Sequence, residues 1–344
     1  MGCIIPTSTL TSVRCPWAWR SWPRLPSATC SSTKTDYFVR GEAMTINNFA
    51  ELIAAAQAVG PKRIAVAAAG DPSILTSAVE LYELGIATAH LIGDQAAIEN
   101  IARREGLSLE GMTIIHEPDP KTAARQVMAL IRAGEADVAV KGQIKTDQFL
   151  AAALDRTAGI REKSLLTHVG MFEIPGYDRI LYISDGGVVL YPTIYQKLTI
   201  IQNAVEVAHK FGLKEPRVAI LAASEAVHPK MPVSIEALAL ARMAEQGWVE
   251  GAIVDGPMPL DVAVRPEAAR LKGVGGPVAG QADIVIVPGV EAGNTAAKAI
   301  QYLAHGKMAG LVVGARVPII INSRADTPET RLYSTAMAVV LAAD

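Results

Sequence analysis

Pro318 to Leu341 reads PIIINSRADTPETRLYSTAMAVVL, and this stretch decides the fold. Ile319, Ile320 and Ile321 form a β-branched apolar run, the pattern of a strand buried on both faces. Asn322 to Asp326 supply a polar turn. Thr327 is suited to cap a helix and Pro328 to fill its first position. Leu332, Ala336, Val339 and Val340 then give that helix an apolar face. A strand, a polar turn and a helix in this order make one unit of an open α/β sheet, where ligands bind outside the carboxyl ends of strands. Ser323 and Arg324 are therefore predicted at a strand end beside a helix N-terminus. Free N–H groups and the helix dipole favour an anion there by about 0.3–1 kcal/mol, and by up to about 2 kcal/mol when partly buried. Arg324 adds a planar fork that can hold phosphate through two N–H groups.

Working outward, strands and helices alternate from Met44. Asn48 and Glu51 are placed as a capping box. Arg63 to Ala69, Ala89 to Ile92, Met112 to His116 and Asp137 to Val140 read as strands, with Asp71-Pro72, Asp94 and Asp119-Pro120 opening helices between them. Four such units predict a parallel, doubly wound sheet with right-handed crossovers. The pattern breaks after Ala158. Leu165 to Glu173 and Arg179 to Ser184 flank Pro175-Gly176 and predict an antiparallel hairpin. A long helix over about Thr193 to Phe211 follows, and then strands at Arg217 to Ala222, Gly251 to Val254, Asp283 to Val287 and Gly310 to Val313. The expectation is two α/β domains: residues 44–158 with 314–344 as the first, and 159–313 inserted as the second. The return of the chain at Pro318 would put Ser323 and Arg324 at the cleft between them, a usual place for a ligand.

Composition narrows the function. A chain of 344 residues, half of them apolar, suffices for two domains, and a net charge of −2 gives no electrostatic reason to bind nucleic acid or an anionic membrane. No stretch approaches the ~20 apolar residues of a membrane-spanning helix. All three cysteines (Cys3, Cys15, Cys30) and three of the four tryptophans precede Met44. Residues 1–43 have no helical or strand period and are expected to be an unstructured or non-native extension, with Met44 as the natural start. A transit-like presequence is the competing reading; its arginines favour it and its prolines oppose it. The remainder has no cysteine, which suits a reducing cytoplasm.

Other polar turns follow predicted strands: Ser224 to Pro232, Asp255 to Asp261, Pro288 to Thr295, Ser184 to Gly187 and Lys141 to Thr146. Glycine, proline and aspartate are what any such loop uses. Several at the same kind of strand end, however, would lie along one rim. There is no G-x-x-x-x-G-K-[ST] loop, and Gly273 to Pro277 lacks dinucleotide-binding spacing. The six histidines show no metal-ligand spacing. Ser323 is not in a G-x-S-x-G elbow, so an activated serine nucleophile is not indicated.

Taken together, His228-Pro229-Lys230-Met231-Pro232, Asp255-Gly256-Pro257 with Asp261, Pro277-Val278-Ala279-Gly280, Glu291-Ala292-Gly293-Asn294 and Ser323-Arg324-Ala325-Asp326 resemble the phosphate acetyl/butyryl transferase family. The resemblance covers most of Met44 to Asp344, and the tail SRADTPETRLYS is closer to the butyryl branch. It implies a two-domain α/β fold like that of isocitrate and isopropylmalate dehydrogenases, with the active site in the interdomain cleft. It implies transfer of a short acyl group between coenzyme A and phosphate through a ternary complex. The substrates would be acyl-CoA, phosphate and acyl phosphate, with no metal or redox cofactor, in a cytoplasmic homodimer or higher homo-oligomer. Arg324 would hold phosphate and Ser323 would donate to the oxyanion. Lys230, Asp255, Gly256, Asp261, Glu291, Gly293 and Asn294 would bind substrate. The acetyl branch assigns its base to an Asp at the position that is Thr330 here, which leaves Asp326 as the substitute. His228 stands where the family usually has Asn. The alternatives are a metal-dependent hydroxyacid dehydrogenase of related fold, whose closest pair of acids would be Asp255 and Asp261, and a non-catalytic acyl-CoA or anion-binding protein.

Overall fold

The computed structural model describes residues 45–323 and 325–343. The expectations for residues 1–43 and for Arg324 lie outside the described residues. The first part of the chain forms α1 (Phe49–Val59), β1 (Lys62–Ala67), α2 (Pro72–Glu83), β2 (Ala87–Gly93), α3 (Gln95–Glu105), β3 (Met112–His116), α4 (Pro120–Ala133), β4 (Val138–Lys141) and α5 (Thr146–Ala153). The aspartates do what their positions predict. Asp71, Asp94 and Asp119 each accept a backbone N–H from the first turn of the helix they open, worth typically about 1 kcal/mol per cap. At α1 the box is displaced by one residue. Asn48 accepts the Glu51 N–H, but the Glu51 carboxylate takes the N–H of Asn47 at 2.8 Å instead of the cap's own.

The hairpin is β5 (Thr167–Glu173) with β6 (Leu181–Ser184), and α6 (Ile194–Lys210) follows. Then come β7 (Arg217–Leu221), α7 (Pro232–Met243), β8 (Ile253–Met258), α8 (Leu260–Val264), α9 (Pro266–Leu271), β9 (Ile284–Ile286), α10 (Val290–Tyr302), β10 (Lys307–Val313), β11 (Ile319–Ile320) and α11 (Pro328–Leu341). One boundary differs from expectation. The Gly251–Val254 strand was predicted to end before Asp255, yet β8 begins at Ile253 and runs on to Met258. Gly256 is thus a strand residue, and a Cβ there would lie 2.8 Å from the Ile220 carbonyl oxygen. Its glycine lets β7 and β8 approach, which a turn signal cannot be told from in sequence.

The strands form one sheet in the order β3-β2-β1-β4-β11-β10-β5-β6-β9-β7-β8. β3, β2, β1, β4 and β11 are mutually parallel. So are β6, β9, β7 and β8. Between the two sets lies a seam of antiparallel pairing. β10 runs against β11 through Val312↔Ile319 and against β5 from Lys307↔Glu173 to Val313↔Thr167, and β5 runs against β6. β10 was expected to continue the alternation before it, but it is antiparallel to both neighbours. Three reversals between β11 and β6 give the two parallel sets opposite directions. Their carboxyl ends therefore do not share one rim, which corrects the sequence expectation.

Of the isoleucine run, Ile319 and Ile320 are fully inaccessible as predicted, each contributing about 1.5–3 kcal/mol, while Ile321 is half-buried and lies past the strand end. Thr327 caps α11 and Pro328 is its first residue. Helix α11 packs on α1, where the rings of Tyr333 and Phe49 stack at 4.5 Å.

Candidate active site

A cavity of about 370 Å³ lies on the antiparallel seam. Its floor is the strand face carrying His168, Gly170 and Phe172, which alternate along β5 and so point the same way. Gly170 pairs directly with Gly310 on β10, and Phe172 pairs with Met308. Two opposed glycines leave the floor low at its centre. Phe172, Ile183, Met308 and Ala297 contribute apolar wall.

The rest of the lining is largely polar and cationic. The loop after β4 brings Lys141, Lys145 and Thr146, and α10 brings Asn294 and Lys298. Gly142 lets that loop lie against β1, since a Cβ there would sit 2.3 Å from the Ala67 carbonyl oxygen. The Lys141 ammonium donates to the carbonyls of Gly142 and Ile144 at 3.3 Å each. Helix α5 opens at Thr146 with no side-chain cap, so its first N–H groups add positive potential. Among the described lining residues three lysines face a single carboxylate, Asp326. That balance suits an anion.

Ser323 sits where the sequence puts it, just past the carboxyl end of β11 and beside α11. Asp326 makes the turn rigid. Its Oδ2 accepts the Ser323 N–H at 2.7 Å, and its own N–H donates to the Ser323 carbonyl at 3.2 Å. Its Oδ1 lies 3.4 Å from Lys298 Nζ. Helix α10 holds the turn from the other side: the Tyr302 hydroxyl donates to the Ala325 carbonyl at 3.2 Å, and Gln301 donates to Thr330 Oγ1 at 3.1 Å. Arg331 of α11 donates to the Ser323 carbonyl at 3.2 Å. Thr330 is buried and its hydroxyl also contacts that of Thr327. It serves the start of α11 and does not line the cavity.

Where the two rims meet, Asp185 is buried and fully engaged. One carboxylate oxygen accepts the N–H groups of Gly187 and Val188, both at 2.8 Å, and the other accepts those of His168 at 2.8 Å and Val189 at 3.3 Å. These bonds fix the Gly186-Gly187 turn against the first turn of α10. Gly293 is required at that crossing, because a Cβ on it would fall 2.7 Å from Gly186 Cα. His168 lies alongside. Burial pushes its imidazole below the ordinary 6.5; Asp185 and Asp326 act the other way and Lys298 adds to the lowering.

The predicted residues therefore divide. Ser323, Asp326, Gly293 and Asn294 line the cavity. Lys230, Asp255, Gly256, Asp261 and Glu291 do not. Lys230 is exposed in the loop after β7, Asp261 pairs with Lys272 at 2.8 Å, and Glu291 accepts from the exposed Tyr191 hydroxyl. The first four of these belong to β7, β8 and α8, and β7 and β8 lie beyond β9 at the edge of the sheet, away from the seam. Lys298 and His168 had not been singled out as site residues. Lys298 could have been found from its place four residues after Asn294 on the same helix. Nothing local marks His168.

The family described as "Phosphate acetyl/butaryl transferase" matches residues 119–339. A phosphate butyryltransferase of Clostridium acetobutylicum is 38% identical over 297 residues, covering 86% of this chain and 99% of the relative. A phosphate acetyltransferase of Rhizobium meliloti is 41% identical over 297 residues, covering 86% of this chain and 94% of the relative. The crystal structure of a branched-chain phosphotransacylase from Enterococcus faecalis superposes with a TM-score of 0.73 at 29% identity, covering 82% of this chain and 99% of that one.

Proposed function

We propose, from the premise that the chain belongs to the phosphate acetyl/butyryl transferase family, that this cleft moves an acyl group reversibly between coenzyme A and inorganic phosphate. One observation carries the reading at the level of residues. A single cavity combines a cationic and polar set, Ser323, Lys298, Lys145 and an uncapped helix start, with an apolar set, Phe172, Ile183 and Met308. The first suits phosphate and a developing oxyanion, the second a short acyl chain. The volume admits the reacting groups, and the nucleotide of coenzyme A would lie outside.

In this proposal phosphate and acyl-CoA bind together. Phosphate attacks the thioester carbonyl carbon, and the tetrahedral oxyanion forms beside Ser323. Holding both reactants in line supplies several kcal/mol of the barrier. Ser323 donates to the oxyanion, Lys298 lowers its energy, and Arg324, next in the chain, takes the phosphate. Asp326 acts as a positioning residue, because its oxygens already serve Ser323 and Lys298. That differs from the base role for which Asp326 stood as the substitute, the family's own base position being Thr330 here. Lys230, Asp255, Gly256, Asp261 and Glu291 could contact only parts of coenzyme A that extend beyond the cavity. The two-domain division, the cytoplasmic location and a homodimer or higher oligomer remain part of the proposal. Exposed Tyr195 and Trp248, whose rings lie 6.4 Å apart, offer an apolar face to a second copy. Among the described residues no helix is long and apolar enough to cross a membrane.

The test is phosphate-dependent thiol release across an acyl-CoA series from acetyl to hexanoyl. Release with one or more members supports the transferase and ranks chain length. No release with any of them, alongside tight acyl-CoA binding, would favour a binding protein instead. Asp255 and Asp261, the pair a metal-dependent dehydrogenase would need, lie away from this cavity, so that rival has no support in the site.

A further inference from the structure

An acyl transfer of this kind must also move a proton, since the thiol of coenzyme A loses one in one direction and gains one in the other. The position to which the acetyl branch assigns this work is Thr330, a side chain with no acid–base chemistry near neutrality, buried among its own helix-capping bonds. Asp185 is saturated by four N–H donors, and Asp326 is committed to Ser323 and Lys298. The lysines are donors. Among the described residues one group in the cavity wall stands unused.

His168 occupies a slot cut by glycines. A Cβ on Gly310 would lie 2.8 Å from its Nε2, one on Gly187 3.5 Å from its Cγ, and one on Gly170 3.6 Å from its Cε1. Any larger residue at Gly310 would displace the ring. The backbone around it is held firmly: its N–H donates to Asp185 at 2.8 Å, and its carbonyl accepts the Ser184 hydroxyl at 2.7 Å. The side chain is not. Nδ1 is buried without a hydrogen-bond partner. Leaving such a group unpaired costs about 1–3 kcal/mol, and buried polar groups without partners call for an explanation.

We propose that His168 is the acid–base residue of the transfer, carrying the proton between phosphate and the coenzyme A sulfur; this rests on reading the cavity as an acyltransferase site. In the direction of acyl phosphate synthesis, the imidazole takes the proton of the phosphate hydroxyl as its oxygen bonds to the carbonyl carbon. The C–S bond then breaks, sulfur leaves with the electron pair, and the imidazolium returns the proton to it. The reverse runs through the same steps, and no proton is gained or lost overall. The ring must start neutral to accept. Burial holds it so, with Lys298 acting in the same sense and Asp185 and Asp326 opposing. Lys141 and Lys145 face the same cavity from the loop after β4, while the β10 residue against the ring is Gly310, which carries no charge.

The experiment uses the full chain, measured from acyl phosphate and coenzyme A so that the ionisation of free phosphate does not intrude. His168→Gln and His168→Asn should each lower kcat by about 10²–10⁴-fold, with KM for coenzyme A within about threefold of the parent. The parent should lose kcat as the pH falls below 6.5, and the variants should lack that limb. An active parent whose variants keep kcat within about threefold, with the same pH profile, overturns the role of His168 and leaves the transferase reading standing. A parent inactive with every acyl donor would overturn the transferase reading itself. Should neither variant fold, the parent profile decides: a kcat that stays flat from 6.5 down to the pH at which the chain unfolds rejects the proposal, and an acid limb lying below 6.5 sustains it.

Discussion

Gly293→Ala tests the crossing that holds α10 over the cavity. The new Cβ would lie 2.7 Å from Gly186 Cα, 2.9 Å from Val287 Cγ2 and 3.0 Å from the Asp185 carbonyl oxygen. Two of these atoms are backbone, so no rotamer change relieves the clash. Carbon atoms rest at about 3.5–4.0 Å, which means α10 must back away by about 1 Å. Overpacking of this kind costs about 1–3 kcal/mol. Alanine returns up to about 1 kcal/mol through helix propensity and a less flexible unfolded chain. The net loss should be about 1–2 kcal/mol. With a urea slope near 3 kcal/mol/M, the midpoint falls by about 0.3–0.7 M. Because the same helix carries Asn294 and Lys298, a displacement of about 1 Å should also lower kcat/KM by up to about 10²-fold. The control is Gly275→Ala, where a Cβ meets nothing within 4 Å. Urea titration and steady-state kinetics on both variants give the answer. If Gly293→Ala matches Gly275→Ala in midpoint and in kcat/KM, the close approach does not position the site.

Ser323→Ala should lower kcat with little change in KM for phosphate, because its bond to the oxyanion forms in the transition state. Arg324→Ala should lower kcat/KM for phosphate by about 10²–10³-fold, with Arg324→Lys recovering only part; phosphate-saturation kinetics reads both. Dialysis against EDTA should leave turnover unchanged, and loss of activity restored by a divalent ion would contradict a metal-free mechanism. For His168 the folded value lies below the unfolded one, so the unfolded chain binds the proton more readily. Stability is then lost as the pH falls from 6.5 toward the lowered value, and is unaffected above it. Urea midpoints between about pH 7.5 and 5.5 should drop further for the parent than for His168→Gln.

Local signals read well. The three isoleucines, the Thr327 cap and the aspartates at Asp71, Asp94 and Asp119 act over a few residues, and each element they imply is present. Ser323 and Asp326 were legible for the same reason, because one turn holds both. Strand direction was not. The hairpin β5–β6 announces a reversal, but nothing in β10 reveals that it opposes both neighbours. Strand order was hidden too: β7 and β8 lie at the sheet edge beyond β9, and without that Lys230 and Asp261 look as near the chemistry as Ser323. His168 was hidden differently. A histidine in a strand is ordinary, and its meaning comes from Gly170, Gly187, Gly310 and Asp185, which only the folded sheet gathers around it.

The two residues of β11 also set when the site can exist. Ile319 pairs with Ala139 on one side and Val312 on the other. A strand this short has too few bonds to stand alone, and its contact with β4 closes a loop through more than half of the described chain. Closing such a loop is entropically unfavourable until the intervening strands have paired. Ser323 and Asp326 hang from that last strand, and the stacking of Tyr333 on Phe49 joins the last helix to the first of the described residues. Pairing of β11, and with it the placement of Ser323 and Asp326, is therefore expected late in folding. During synthesis, a chain whose C-terminus is still in the ribosome can have every other strand in place and no competent cavity.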